Sequence, residues 1–150
     1  MRYLLVALAL TLSAADLSTK KSLNLAVIKE MVAAADAEAA KLGVQVSLAI
    51  VDEAGNLLYF QKQDKPGPHT VNFAQRKARA AAIFKRPSKA QNEALTKGNL
   101  ATLNMPDAFP IQGGVPVMMG DQCLGAVGAS GATGEQDEQI SQAAINAIKR

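Results

Sequence analysis

Tryptophan is absent from this chain, and cysteine and histidine occur once each. Aromatic residues make up 4% of it. Each scarcity excludes something. One cysteine allows no internal disulfide, so stability must come from core packing and from association between copies. One histidine is too few for the usual zinc sites. So few aromatics build no stacking platform for single-stranded nucleic acid. The charge balance agrees, because 16 basic against 13 acidic residues is too small an excess to argue for nucleic acid. Internal repeats and low-complexity tracts are missing too. No serine–histidine–acid arrangement is visible, and no P-loop, since the lysine and the spacing are wrong.

One apolar run stands out. Arg2 supplies a short positive start, Tyr3 to Leu12 is almost wholly apolar, and Ser13-Ala14-Ala15 offers small residues ahead of Asp16. This is the three-part pattern of a secretory signal peptide over residues 1–15. A bilayer span needs about 20 apolar residues, so the run is too short to be one. The expected location is periplasmic or secreted, with no membrane span left after cleavage. The remaining chain, 16–150, suits one domain with a real core.

Along that domain the spacing predicts a helix over Asn24–Leu42. Leu25, Ile28, Val32, Ala35, Ala39 and Leu42 recur at steps of three and four, and Gly43 stops it. Val44–Val51 reads as a central strand covered on both faces. Asp52 to Asn56 is turn chemistry, and Leu57–Lys62 is the hairpin partner. A second helix starts at His69 or Thr70 and runs to about Phe84. Ser88 with Gln91 resembles a capping box for a short helix to Leu95. Gly98–Pro110 reads as irregular. Val115–Met119 and Cys123–Ser130 form a second hairpin across Gly120-Asp121. Gly125 and Gly128 lie inside its second strand, where glycine signals close approach by something else. Thr133 with Gln136 is another capping box, opening a last helix to about Lys149. Two hairpins and four helices imply helices on both faces of one antiparallel sheet.

Several constellations could carry chemistry. His69 sits in a rigid Gly67-Pro68-His69-Thr70 junction and is either a haem-iron ligand or a capping residue. Arg76, Lys77, Arg79, Lys85 and Arg86 are either partners for an anionic ligand such as haem propionates or a solvated helix face. Gly113-Gly114, and Gly131 to Gly134 before the last helix, are either an anion-binding turn or tight connections. Glu135, Asp137 and Glu138 suit a helix N-terminus or a weak ferric-iron site. Met105, Met118, Met119 and Cys123 are soft donors or core.

Three stretches read together narrow the choice. They are LGVQVSLAIVDEAGNLLYFQKQD (42–64), PHTVNFAQRKARAAAIFKRPS (68–88) and GGVPVMMGDQCLGAVGASGATGEQDEQISQAAI (113–145). Their order and spacing resemble the GlcG/HbpS-like family of haem-degrading or haem-binding proteins, which includes the C-terminal domain of PduO-type enzymes. The resemblance covers about residues 22–149. It implies an α/β (α+β) fold, a three-layer α/β/α domain with a five-stranded antiparallel sheet, somewhat profilin-like. The fifth strand is then expected within Asn99–Ile111.

The resemblance also implies a homo-oligomer, a tetramer or octamer, and for exported members a role in haem or iron sensing with a receptor or sensor protein. His69 matches the "PHT" turn of exported, haem-associated members. Arg76 and Lys77 match the family's basic pair, and Gly131 and Gly134 its C-terminal signature. The cofactor-binding set is therefore His69, Arg76, Lys77, Arg79, Gly131 and Gly134, with haem as cofactor and His69 on the iron. Ala78-Arg79-Ala80 departs from the aromatic or threonine that many exported members carry. The alternatives are an interaction module with no cofactor and a haem-degrading or peroxide-consuming enzyme. No flavin or nicotinamide motif is present to feed the latter with electrons.

Overall fold

A computed structural model describes residues 19–148. The signal expected over 1–15 and the expected helix end at Lys149 lie outside the described residues.

Helix α1, Leu25–Lys41, begins where Asn24 accepts a hydrogen bond from the Val27 N–H at 3.0 Å. It ends at Leu42 ahead of Gly43, whose positive φ no β-carbon opposes. Strands β1 (Ser47–Asp52) and β2 (Leu57–Lys62) pair antiparallel. Helix α2 spans His69–Phe84 and α3 spans Lys89–Thr96. Strands β3 (Gly114–Met119) and β4 (Gln122–Ser130) form the second hairpin, and α4 covers Gly134–Asn146. Thr133 and Gln136 form the expected capping box.

The sheet runs β2-β1-β4-β3, antiparallel throughout. Four strands are present among the described residues, not five. Leu100–Asn104 forms a 3-10 turn instead of the expected strand. The physical reason is local bonding. Thr102, Met105 and Ala108 each donate to a carbonyl three residues back, and Asp107 takes a positive φ of 63°, which no strand accommodates.

The second expectation overturned is the cap at Ser88. Its backbone is already helical, and its hydroxyl makes no cap. That hydroxyl instead donates to the Ile111 carbonyl and accepts from the Gly114 N–H, at 2.7 and 2.9 Å. Gln91 likewise accepts from the Phe109 N–H at 2.7 Å. Both residues are buried and hold the 105–114 loop against α3.

Strand alternation splits the core in two. Leu48, Ile50, Val115, Val117, Val127 and Ala129 face α1 and α4, meeting Ile28, Met31, Val32, Ile140 and Ile145. Each large side chain fully buried there contributes about 1.5–3 kcal/mol. Ala49, Val51 and Ala126 face α2, meeting Ala74, Ala78, Ala81 and Ala82. This second layer is thin because α2 almost touches the sheet. Gly114 and Gly128 are register partners in adjacent strands. A β-carbon on Gly114 would stand 2.1 Å from the Lys77 carbonyl oxygen, and one on Gly128 would stand 2.3 Å from that of Ala74. A two-glycine platform facing an alanine stripe is what sets the height of α2.

Candidate functional site

His69 opens α2 and is exposed. Its imidazole has no hydrogen-bond partner among the described residues, and its ring meets Phe73 edge-on at 5.3 Å between centroids. Phe73 meets the buried Phe109 in the same way at 5.2 Å, and the Arg76 guanidinium stacks on Phe109 at 4.2 Å. Residues 69, 73 and 76 are spaced to share one helix face, so the order of contacts follows from α2 itself. A rise of about 1.5 Å per residue separates His69 from Arg76 by about 10 Å along the axis.

Beside His69 is a cleft of about 290 Å³, lined in part by Thr70, Phe73, Lys77, Gly131, Gly134 and Asp137. Four of the six residues predicted from sequence (His69, Lys77, Gly131 and Gly134) therefore meet at one place. Arg76 and Arg79 line a neighbouring cavity of about 380 Å³ between α2 and the β1–β2 turn.

The basic residues have separate fates. The Lys77 ammonium is 2% exposed and donates to Asp137 Oδ2 at 2.7 Å and to the Ala129 carbonyl at 3.0 Å. It is committed within the protein, so it has little to offer a propionate. Its partner Asp137 also accepts from the Ala132 N–H. Burial pushes the Asp137 carboxyl up, while Lys77 pulls it back.

Arg79 donates from Nε to Asp107 and from Nη1 to the carbonyls of Ala54 and Gly55. That hydrogen bond from Arg79 holds the Asp107 carboxyl below its ordinary value of 3.8, against the upward pull of burial. A depressed carboxyl stabilises above its unfolded pKa, and the contribution is lost as pH falls through the folded one. The side-chain exposures of 41% and 32% keep the effect small. A carbon-detected NMR titration of Asp107 should give a midpoint below 3.8; a midpoint at or above it contradicts the clamp. Arg76 has no ion-pair partner among the described residues and is exposed.

The two glycines line the cleft for structural reasons. Gly131 has φ 149°, and a β-carbon there would stand 2.7 Å from the Gln45 carbonyl oxygen. Gly134 is the first residue of α4, against Gln112.

The weaker candidates do not gather. Cys123 is buried under α2, near the Ala82 carbonyl, while Met119 packs on the α1 side. Glu138 pairs with Lys89 and accepts from Gln112, and Asp137 points inward. Among the described residues no group of three or more His, Cys, Asp or Glu side chains could hold a metal ion.

An α+β domain with an alanine-faced helix on glycines, and an uncommitted imidazole at the mouth of a cleft, is a ligand-pocket architecture, and among the described residues no metal-binding cluster accompanies it. The chain belongs to the HbpS-like family, whose model (haem degrading protein HbpS-like) matches residues 23–146. The GlcG protein of Escherichia coli K12 is 38% identical over 111 residues, 74% of this chain and 83% of that protein. A double mutant of Streptomyces reticuli HbpS superimposes with a TM-score of 0.81 at 28% identity, covering 97% of this chain and 99% of that one. The PduOC–haem complex does so at 0.78 and 25% identity, covering 85% and 96%.

Proposed function

We propose that this protein binds haem, or a related tetrapyrrole, outside the cytoplasm, with His69 on the iron and Arg76 facing a propionate. The observation that carries the reading is the exposed, unpartnered His69 imidazole at the cleft mouth, on a chain whose structural relatives include a haem complex.

The residues present fit such a group. Imidazole ligates haem iron, Phe73 offers an aromatic flank, and Arg76 brings a cation with no ion-pair partner among the described residues. The cleft alone lies at the lower end of ligand-enclosing pockets, about 300–1,000 Å³. A porphyrin therefore needs the open surface along His69, Phe73 and Arg76 as well. The group would supply redox and ligand-sensing chemistry, and this chain supplies its holding and orientation.

Export through residues 1–15 belongs to the same reading, as does assembly into a tetramer or octamer. Leu57 and Leu58 on the edge strand β2, and Leu100 and Leu103 on the 3-10 turn, are exposed apolar side chains that a neighbouring copy could cover. A receptor or sensor protein is the proposed partner in haem or iron sensing. No helix among the described residues is long and apolar enough to cross a membrane.

Haem titration of the mature chain should shift the Soret band with saturation, and His69→Ala should abolish the shift. An unchanged shift in the variant removes His69 from the site, and no shift in the parent protein sinks the haem reading.

A further inference from the structure

The cavity between α2 and the β1–β2 turn has no role in holding iron, and its chemistry is distinct. Asn72, Gln75, Arg76 and Arg79 recur at steps of three, one and three, which places them on one stripe of α2. The opposite side of the helix is the alanine stripe on the sheet. Gly55, Asn56 and Leu57 stand across from it, leaving an open cleft of about 380 Å³, which is the size of a small-molecule site.

No acidic side chain lines the cavity. The charges around it are nearly spent. Arg79 is paired with Asp107. Asp52, whose field also reaches Arg79, turns its carboxylate onto Ala54 N–H, Asn56 N–H and the Asn56 amide. Arg76 keeps its donors and lies over the Phe109 ring, 4.2 Å from its centroid. A guanidinium seated over an aromatic ring with its donors unspent matches a planar, bidentate oxyanion.

We infer that this cavity binds a short organic monocarboxylate. The carboxylate lies on Arg76, the Asn72 amide gives a secondary hydrogen bond, and the exposed Leu57 takes the aliphatic body. One uncompensated guanidinium matches one negative charge, so a dianion is a worse fit than a monoanion. It shares Arg76 with the proposed haem site, so a haem propionate and the monocarboxylate would compete for this guanidinium, and the cavity is free to bind only in the haem-free protein.

The test is an NMR titration of the haem-free protein at low salt with sodium butyrate, with butyramide and inorganic phosphate as comparisons. Butyrate should give saturable shifts at the Asn72 side-chain amide and at Arg76 Nε. Butyramide should give none, and phosphate should bind more weakly than butyrate. Arg76→Gln should weaken butyrate binding at least tenfold, and Arg76→Lys should not restore it. His69→Ala should leave it unchanged, which separates this site from the haem reading. Equal response to butyramide, tighter binding of phosphate, or undiminished binding in Arg76→Gln would overturn the inference.

Discussion

Replacing Asp137 with alanine will lower the unfolding free energy by about 3–5 kcal/mol. Asp137 and Lys77 are each 2% exposed and lie 2.7 Å apart. The substitution leaves an ammonium group buried with only the Ala129 carbonyl as partner, and it strips the Ala132 N–H of its acceptor. Removing one member of a buried pair costs more than the pair itself contributes, because the remaining charge keeps its desolvation penalty. The double variant Lys77→Met with Asp137→Leu should therefore recover most of the loss. Urea unfolding at neutral pH measures both. A single-variant loss under about 1 kcal/mol, the level of an exposed pair, contradicts the burial of this one. The pair ties the middle of α2 to the first turn of α4, so its loss should also loosen the cleft beside His69.

Gly128→Ala should cost about 3 kcal/mol or more, the upper end of what overpacking does. The new methyl would stand 2.3 Å from the Ala74 oxygen and 2.6 Å from the Ala78 nitrogen. Both are backbone atoms, so no rotamer change relieves the contact. Either α2 lifts off the sheet or β4 bends away from it. The register partner Gly114 should respond similarly, since it meets the Lys77 backbone. A thermal midpoint unchanged from the parent protein would show that α2 does not sit on these glycines.

The elements were legible because each is announced locally. Asn24 and Thr133 cap their helices as their side chains suggest, and both hairpins follow from turn chemistry between apolar runs. Gly128 inside a strand correctly signalled close approach. The fifth strand came from the resemblance and not from the residues: Gly98–Pro110 carries no periodicity and reads as irregular, and among the described residues Leu100–Asn104 closes on itself in 3-10 turns.

The site was legible in part. His69, Gly131 and Gly134 do share a cleft. Lys77 read as a cation for the cofactor, although its position betrays a buried partner instead. Residues 70, 74, 77, 78 and 81 form one helical stripe, and all are buried. Asp137 is equally marked by the stripe 137, 140, 141, 144 and 145. A charge falling on an apolar stripe is the signal of a buried partner, and here the two lie 60 residues apart. Phe109 under Arg76, and Asp107 behind Arg79, left no such trace. They come from an irregular loop whose path is set by Ser88 and Gln91.

The haem reading is tested most directly on the mature chain purified from cells supplied with haem, by its absorption spectrum and its mass. The expected result is a coloured oligomer with a Soret band, releasing a tetrapyrrole on denaturation, and a colourless oligomer for His69→Ala. A well-formed oligomer that leaves such cells colourless would contradict it.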